Sequence, residues 1–415
     1  MKVLHLSKSE LGGGAAIAAH RLHQGLKHLG IPSQMLVGTK QSDDTTVFSP
    51  KNNFRKAFGI LQPTLDRFPL RFYPNCDHTK LSLEWLPDGI AGKVVQLAPD
   101  VINLHGISGG YLKIETLTKF TQPLVWTLHD MWTFTGGCHY SQDCDRYIAS
   151  CGACPQLQST KDWDLSRWVW QRKAKAWQQL NLTIVTPSNW LANCARASSL
   201  FQQRRVEVIP YGLDSQRYQP RERHLARKIL QLPQDKQLIL FGAMRATSDR
   251  RKGFQLLEPA LRSLSQFGCQ DKIELVVFGS SRPTPEPEFG LKTHYLGKLS
   301  DDISLALVYA AADVFVAPSI QDNLPNIVME AIACGTPCVA FNIGGMPDLI
   351  EHQQNGYLAK PYDSEELAQG IAWVLQDESR WQTLCHRARA KVEQEFTLEH
   401  QASKYLKLYQ ELTSI

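Results

Sequence analysis

The chain has 415 residues, 43% hydrophobic and 20% charged, with a formal net charge of +5, a composition ordinary for a folded soluble protein of two or three domains. The mild positive charge permits an anionic substrate but gives no reason to expect nucleic acid as a partner. No apolar run approaches the roughly eighteen residues of a membrane span, and the N-terminal MKVLHLSKSE lacks a signal peptide's apolar region, so we expect a cytoplasmic protein.

Apolar runs alternate with helical patterns along the first half of the chain. Strands are predicted at 3–6, 34–37, 101–104, 124–128 and 182–185, and helices at 15–29 and 165–179. Residues 50–95 are rich in Phe, Pro and Arg and show no clean period, so we interpret them as an irregular insertion.

A second series of apolar runs predicts strands at 237–242, 274–279, 313–317 and 337–341, with helices between them. The two series predict an α/β protein of two Rossmann-like, doubly wound halves. Because ligands of such sheets bind beyond the carboxyl ends of the strands, we expect the halves to face a central cleft.

Three consecutive glycines, Gly12, Gly13 and Gly14, separate the first predicted strand from the first predicted helix. Glycine lets the backbone approach a ligand closely, and the N–H groups at a helix start attract phosphate or sugar. The alternative is a tight turn, because the run lacks the G-x-G-x-x-G spacing of dinucleotide folds.

Two predicted strands end in a histidine, His105 after 101–104 and His129 after 124–128. Both imidazoles should emerge at the carboxyl end of the predicted sheet, where ligands bind. His129 could instead be a structural residue that caps the next segment. His105 could face an acceptor or only order the neighbouring loop.

Four of the ten cysteines are clustered in GGCHYSQDCDRYIASCGACPQL, at Cys138, Cys144, Cys151 and Cys154. In a chain expected to lie in the cytoplasm, thiols or metal ligands are favoured over disulfides. The final C-x2-C spacing fits a tetrahedral zinc site of structural type. Free thiols and an oxidised pair are the alternatives.

The predicted helix at 165–179 carries Trp168, Trp170 and Trp177 among Arg and Lys residues. Aromatic and basic side chains together suit a membrane interface or a lipid-linked acceptor. A surface helix with its Trp side chains in the core is the alternative, and we favour it.

The most informative stretch of the chain is 313–363, which predicts a strand–loop–helix–strand unit. Its loop carries Asp322, Pro325 precedes a helix that starts near Asn326, and the helix carries Glu330 and ends at Gly335. One loop thus offers a carboxylate for hydroxyl groups, backbone donors for phosphate and a second carboxylate, a set that suits a sugar nucleotide.

The spacing Asp322-x7-Glu330 resembles the E-x7-E motif of the retaining GT-B glycosyltransferases of family four, with Asp in place of the first Glu. CGTPCVAFNIGGMPDLI and NGYLAKPYD resemble the continuation of that motif, and VEVIPYGLD resembles the family's interdomain V-I-P-N-G-V-D, with Tyr211 in place of Asn. HDMWTFTGGCHYS with the cysteine cluster is similar to an exopolysaccharide subgroup of the family.

The resemblance implies domains at 1–205 and 206–395 and a C-terminal helix, 396–415, that crosses back to the first domain. It implies transfer of a hexose from a UDP- or GDP-linked sugar to an acceptor hydroxyl with retention of configuration, in polysaccharide or glycolipid synthesis. No cofactor is implied in catalysis, because Lys252 and an arginine, Arg245 or Arg251, would supply the positive charge for the diphosphate. Of the two arginines we slightly favour Arg251, and a solvated charge run is the alternative that fits Arg250.

The resemblance assigns catalysis to His129, Lys252 and Asp322, with His129 close to the transferred sugar. Glu330 would hold the ribose and Asp322 the sugar hydroxyls, while Gly12 and His105 would face the acceptor. The remaining donor-binding residues would be Gly13, Gly14, Arg245, Arg251, Asn323, Leu324, Asn326, Ile327 and Val328.

Two other functions fit the same residues: a catalytically silent sugar-nucleotide-binding subunit of a larger complex, and a hydrolase or epimerase of GT-B fold. The expected partners are a nucleoside diphosphate sugar and a carbohydrate or lipid-linked acceptor, with peripheral contact at the inner face of the membrane.

Overall fold

The computed structural model describes residues 1–50, 53–76 (side chains from 59), 81–242, 249–264, 271–282, 287–299 and 301–413. The chain forms two compact units, Met1–Gly212 with Leu398–Ile415, and Leu213–Thr397. The second unit is therefore inserted into the first.

The first unit is built around a parallel sheet of seven strands in the order β3-β2-β1-β4-β5-β6-β7. The strands are β1 Val3–Ser9, β2 Ser33–Thr39, β3 Val47–Phe48, β4 Val101–Leu104, β5 Leu124–Thr127, β6 Leu182–Thr186 and β7 Val206–Val208. The helices are α1 Gly14–His28, α2 Asn53–Asp66, α3 Ile90–Leu97, α4 Leu165–Trp177 and α5 Asn189–Ala197. Every residue of β4, β5 and β6 is buried, as expected for parallel strands covered on both faces.

The second unit contains a parallel sheet of six strands in the order β10-β9-β8-β11-β12-β13. The strands are β8 Gln237–Gly242, β9 Ile273–Phe278, β10 Thr293–Tyr295, β11 Val314–Ala317, β12 Cys338–Phe341 and β13 Gly356–Ala359. The helices are α6 Arg223–Ile229, α7 Phe254–Leu264, α8 Asp302–Ala311, α9 Asn326–Ala333, α10 Met346–Leu349, α11 Ser364–Leu375 and α12 Glu378–Glu395. Both sheets follow the strand order of the Rossmann fold, with one extra strand in the first.

The last helix, α13 Leu398–Thr413, belongs to the first unit and packs on α1. Tyr405 and Tyr409 reach the polar side chains beneath the sheet: the Tyr405 hydroxyl lies 2.8 Å from Thr127 Oγ1, and Asn103 Nδ2 donates to Tyr409 Oη at 2.6 Å. The crossover of the C-terminal helix to the first domain is confirmed.

The α/β class and the predicted strands are confirmed, but two details differ. Residues 50–95, interpreted as an irregular insertion, contain α2 and the start of α3. Residues 206–212 belong to the first unit, beyond the predicted boundary at 205, because Val206–Val208 pairs with β6. The cleft between the halves stays a prediction. Across the described residues, no helix combines the length and apolarity needed to cross a bilayer.

Candidate active site

Lys252 and Asp322, two of the sequence-predicted residues of the second unit, lie at the point where its strand order reverses. β8 and β11 are neighbours, and the chain continues from them to opposite sides of the sheet. Lys252 follows β8 and Asp322 follows β11, so both lie beyond the carboxyl ends of these strands. This is where a doubly wound sheet binds its ligand.

Lys252 and Asp322 form an ion pair, with Lys252 Nζ donating to Asp322 Oδ2 at 2.8 Å. The backbone N–H of Asn323 donates to the other carboxylate oxygen at 2.9 Å. Burial raises the pKa of Asp322, but the charge and hydrogen bond of Lys252 outweigh it, so that the pKa is lowered overall. Asp322 is therefore a carboxylate that can accept hydrogen bonds.

Backbone contacts fix the two loops that carry this pair. Arg251 O accepts from the N–H of Ile320 at 2.8 Å. Gly253 has φ +70°, and a Cβ there would lie 1.7 Å from Pro318 O, so only glycine fits. The turn that ends in Lys252 is thus set directly against the loop that leads to Asp322.

The arginine expected to contact a diphosphate is not identified by these contacts. Arg251 pairs with Asp249 of its own loop at 2.8 Å, and its side chain is 23% exposed. Arg245 lies outside the described residues. The choice between Arg245 and Arg251 stays open.

Helix α9 begins at Asn326, as the sequence predicts, directly after Pro325. Glu330 is buried in this helix, and Tyr309 Oη donates to its Oε2 at 3.1 Å. The N–H of Val328 donates to Pro325 O at 3.1 Å, so this predicted ligand donor is used in the first helical turn. Leu324, Asn326 and Ile327 lie before or at the start of the same turn, next to Asn323.

In the first unit, α1 begins at Gly14 with Gly13 as its N-cap at φ 97°. The glycine run is held by local bonds: Gly12 N–H donates to Ser9 Oγ at 2.9 Å, and Gly13 N–H to Leu11 O at 3.1 Å. The glycine run therefore forms a tight turn and also starts a helix. A tight turn and a helix start that binds a ligand are thus compatible predictions for this run.

His129 and His105 lie side by side, with His129 Nε2 3.1 Å from His105 Nδ1. His129 Nδ1 lies 2.6 Å from the hydroxyl of Tyr211, and His105 Nε2 lies 3.0 Å from Nδ1 of His5. Burial lowers the pKa of His129 to about 4 and holds that of His105 well below its usual range. For His105 this geometry favours the ordering role, because both of its ring nitrogens are bonded to other histidines.

Tyr211 and His5 were not among the predicted site residues. Their only signal in the sequence is that Tyr211 replaces an Asn in the resemblance, and that His5 interrupts an otherwise apolar strand.

The four clustered cysteines are all free thiols: Cys138, Cys151 and Cys154 are buried and Cys144 is half-buried. Burial raises the pKa of Cys138, Cys151 and Cys154. Within the described ranges, no three or more His, Cys, Asp or Glu side chains are arranged to hold a metal ion. The zinc site stays a prediction of the sequence, without support from this side-chain arrangement.

The tryptophans of α4 fit in part the prediction of a surface helix with its Trp side chains in the core. Trp177 is buried in the core of the first unit, Trp170 is half-buried, and Trp168 is 40% exposed with the Arg172 guanidinium 4.5 Å from its ring centroid.

Two family models match the chain. Residues 12–217 match Glycosyltransferase Family 4, and residues 235–377 match Glycosyl transferases group 1. The D-inositol 3-phosphate glycosyltransferase of Xylanimonas cellulosilytica is 31% identical over 226 residues, which are 50% of this chain and 52% of that protein. The putative colanic acid biosynthesis glycosyl transferase WcaC of Escherichia coli K12 is 27% identical over 290 residues, 65% of this chain and 66% of that protein. The chain spans about half the length of the first of these relatives.

Among solved structures, Anabaena Alr3699/HepE in complex with UDP-glucose superposes with a TM-score of 0.66 at 18% identity, covering 100% of both chains. At this identity the likeness establishes the fold alone. The fold is GT-B, with two parallel-sheet Rossmann-like units.

Proposed function

We propose that this chain, which carries a Glycosyltransferase Family 4 domain and a Glycosyl transferases group 1 domain, transfers a hexose from a nucleoside diphosphate sugar to an acceptor hydroxyl with retention of configuration. The observation that carries the proposal is the Lys252–Asp322 pair beyond β8 and β11, with the carboxylate of Glu330 buried on the following helix.

Each of these groups has a distinct task in the proposed reaction. Glu330 accepts hydrogen bonds from the ribose hydroxyls, and Asp322 accepts them from the sugar. Lys252 lies 2.8 Å from Asp322, so its ammonium group is held beside the sugar site, where negative charge grows on the leaving diphosphate. Stabilising that charge is the largest expected catalytic contribution. Because Lys252 and an arginine supply positive charge, we propose that catalysis does not need a divalent metal.

The relatives support narrower choices of substrate. The Anabaena protein was solved with UDP-glucose, which favours a UDP-linked donor over a GDP-linked one. The Escherichia coli relative is a putative colanic acid biosynthesis enzyme, which favours a growing polysaccharide or a lipid-linked sugar as acceptor. Action in the cytoplasm, at the inner face of the membrane, is part of the same proposal.

Donor binding tests the proposal first. Calorimetry with UDP-glucose and GDP-mannose should show binding of one of them, and Glu330→Gln should weaken it at least tenfold, because a hydrogen bond to a charged group contributes about 1.5–3 kcal/mol. Glu365→Gln, an exposed acid in the first turn of α11, is the matched control and should bind as the native chain does. Equal affinity in Glu330→Gln and the native chain would contradict the assignment of the donor site.

A measurement of sugar transfer distinguishes an enzyme from a catalytically silent binding subunit. With donor and a mixture of acceptor glycans, Lys252→Met should lower transfer about 100-fold or more while donor still binds. The native chain should remain active without added magnesium, and also in EDTA under conditions in which the chelator leaves its fold intact. Tight donor binding with no transfer to any acceptor would instead support the silent subunit.

A further inference from the structure

A continuous chain of hydrogen bonds crosses the first unit and includes His129 and Tyr211. We call it the histidine relay, and its members are, in order, Asp44, Thr46, His23, Ser33, His5, His105, His129 and Tyr211. His5, His23 and His105 are buried, and the members come from strands, loops and helix α1 that are far apart in the sequence.

The first half of the relay joins Asp44 to His5. Thr46 Oγ1 donates to Asp44 Oδ1 at 2.6 Å, and His23 Nε2 lies 3.0 Å from Thr46 Oγ1. Ser33 Oγ then bridges two imidazoles, at 2.8 Å from His23 Nδ1 and 3.1 Å from His5 Nε2. Each contact is within hydrogen-bonding distance.

The second half joins His5 to Tyr211. His5 Nδ1 lies 3.0 Å from His105 Nε2, His105 Nδ1 lies 3.1 Å from His129 Nε2, and His129 Nδ1 lies 2.6 Å from Tyr211 Oη. At every histidine the Nε2 atom faces the Asp44 end and the Nδ1 atom faces the Tyr211 end. The four rings are therefore oriented in the same sense.

Such a relay has two proton arrangements in which all four rings agree. A neutral imidazole has one N–H donor and one nitrogen acceptor, and burial lowers the pKa of all four histidines, which keeps them neutral. If one ring donates through Nε2, its neighbour must accept through Nδ1, and the same choice is imposed on each ring in turn. In one arrangement all four histidines carry the proton on Nε2, and in the other all four carry it on Nδ1. A mixed arrangement requires the Ser33 oxygen to accept from both His23 and His5.

Asp44 selects between the two arrangements. Burial raises the pKa of this carboxyl, but hydrogen bonds from Lys27 and Thr46 outweigh it and hold the pKa well below its usual range. An ionised carboxylate only accepts hydrogen bonds, so the Thr46 hydroxyl proton must point to Asp44. The Thr46 oxygen, which also accepts from Lys27 Nζ at 3.3 Å, can then act toward His23 as an acceptor alone, which places the His23 proton on Nε2. Ser33 must in turn donate to His23 Nδ1, so its oxygen accepts from His5 Nε2 and the mixed arrangement is excluded.

We propose that Asp44 and Thr46, acting through the relay, hold His129 in its Nε2–H tautomer and so direct the hydroxyl proton of Tyr211 to His129 Nδ1. Thr46, His23, Ser33, His5 and His105 are in this view positioning residues. Toward any further group the Tyr211 oxygen then acts as an acceptor. Where the proposed sugar transfer applies, Tyr211 would favour a ligand group that donates a hydrogen bond, such as a hydroxyl.

Ring-nitrogen NMR of histidine-labelled protein at neutral pH tests the tautomers without any substrate, so its outcome is independent of the proposed sugar transfer. Multiple-bond ¹H–¹⁵N correlations separate protonated from unprotonated nitrogens, and His129→Asn assigns the signals of His129. The native chain should show His5, His23, His105 and His129 as single Nε2–H tautomers. A His129 signal from the Nδ1–H tautomer, or from an even mixture, would overturn the proposal.

Two substitutions test which end of the relay determines the tautomers of its histidines. Thr46→Val removes the acceptor of His23, so His23 and His129 should both lose their single tautomer. Tyr211→Phe removes only the last donor, so all four histidines should keep Nε2–H. A change at His23 that does not reach His129, or a tautomer switch in Tyr211→Phe, would contradict the relay.

Thr116→Val is the matched control for Thr46→Val. Thr116 is buried where Thr46 is half-buried, and its Oγ1 likewise donates to a carboxylate, Asp88 Oδ2 at 2.7 Å, but it contacts no histidine of the relay. The four tautomers should be unchanged in Thr116→Val, and a change there would show that the Thr46→Val result reflects general destabilisation.

Discussion

Replacing Lys252 by Met should expose how strongly the site depends on its ion pair. The change keeps the length of the side chain but removes the charge that lies 2.8 Å from Asp322. The Asp322 carboxylate is then left buried with the Asn323 N–H as a remaining donor. Burial, which already raises the pKa of Asp322, would no longer be opposed by Lys252, and the pKa should rise above its usual value.

The expected loss of stability follows from how far the Lys252–Asp322 pair is buried. Removing one partner of a fully buried pair costs about 3–5 kcal/mol, and the side chains of Lys252 and Asp322 are 23% and 11% exposed. We therefore expect the free energy of unfolding to fall by about 3 kcal/mol in Lys252→Met at pH 7. Asp322→Asn should cost less, about 1–2 kcal/mol, because the lysine can reach water and the amide oxygen can still accept from Asn323. The coupling between the two substitutions should be about 1–3 kcal/mol.

Urea unfolding of the native chain, both single variants and the double variant gives this coupling. The pH dependence has a definite sign. In the native chain, the lowered pKa of Asp322 contributes stability above its unfolded value of 3.8, and this contribution is lost as pH falls through the folded value. In Lys252→Met the penalty should be largest at neutral pH and should shrink on acidification, as the carboxylate gains its proton.

Glu258 and Arg262 form a control pair on α7, 2.7 Å apart and 32% and 53% exposed. Their coupling should stay below about 0.5 kcal/mol, as for exposed pairs one helical turn apart. If the Lys252–Asp322 coupling is as small as this and does not change with pH, the pair is not the buried, ionised contact described above.

Three further predictions concern other parts of the chain. Gly253→Ala should lower the free energy of unfolding, measured in urea, by well over the roughly 1 kcal/mol that a left-handed alanine costs, because its Cβ would overlap the Pro318 carbonyl. Gly297 is also at φ +70° but has open space around it, so Gly297→Ala should cost only that amount. Burial lowers the pKa of His129 from 6.5 to about 4, so the unfolded chain binds a proton at this histidine more readily than the folded chain does. The free energy of unfolding should therefore fall as the pH drops from 6.5 to 4, and it should fall less steeply in His129→Asn. If the clustered cysteines hold zinc, elemental analysis should give about one zinc per chain, and Cys154→Ser should lose both the metal and stability; metal-free protein of unchanged stability would rule the site out.

The sequence predicted the buried parallel strands well, because short apolar runs between helical patterns have few other structures open to them. The start of α9 after Pro325 followed from the same local chemistry. The resemblance implies a boundary at 205, which places Val206–Val208 in the second domain. A half-buried strand of three residues carries almost no periodic signal that could correct this boundary. The helices within 50–95 were missed because Pro63 lies inside α2, where proline argues against a helix, and because α3 has only eight residues.

The sequence predicted the residues of the candidate site one by one, each with its own role. It did not predict the contacts between them. Lys252 and Asp322 were assigned to different parts of a donor, and their ion pair depends on the contact of Gly253 with Pro318. The relay needs His5 on β1 beside the residues that follow β4, a neighbourhood created by the strand order. Such contacts join residues that are distant in the sequence, and local patterns do not record them.

The position of α13 also bears on how the chain folds as it is made. Tyr405 and Tyr409 satisfy Thr127 and Asn103 beneath the first sheet, yet they are synthesised after the whole second unit. That unit lies within Leu213–Thr397, so all of its residues are joined to the chain before α13 is made. Although N-terminal domains usually fold first during synthesis, here the first unit cannot be completed until the whole second unit has been synthesised.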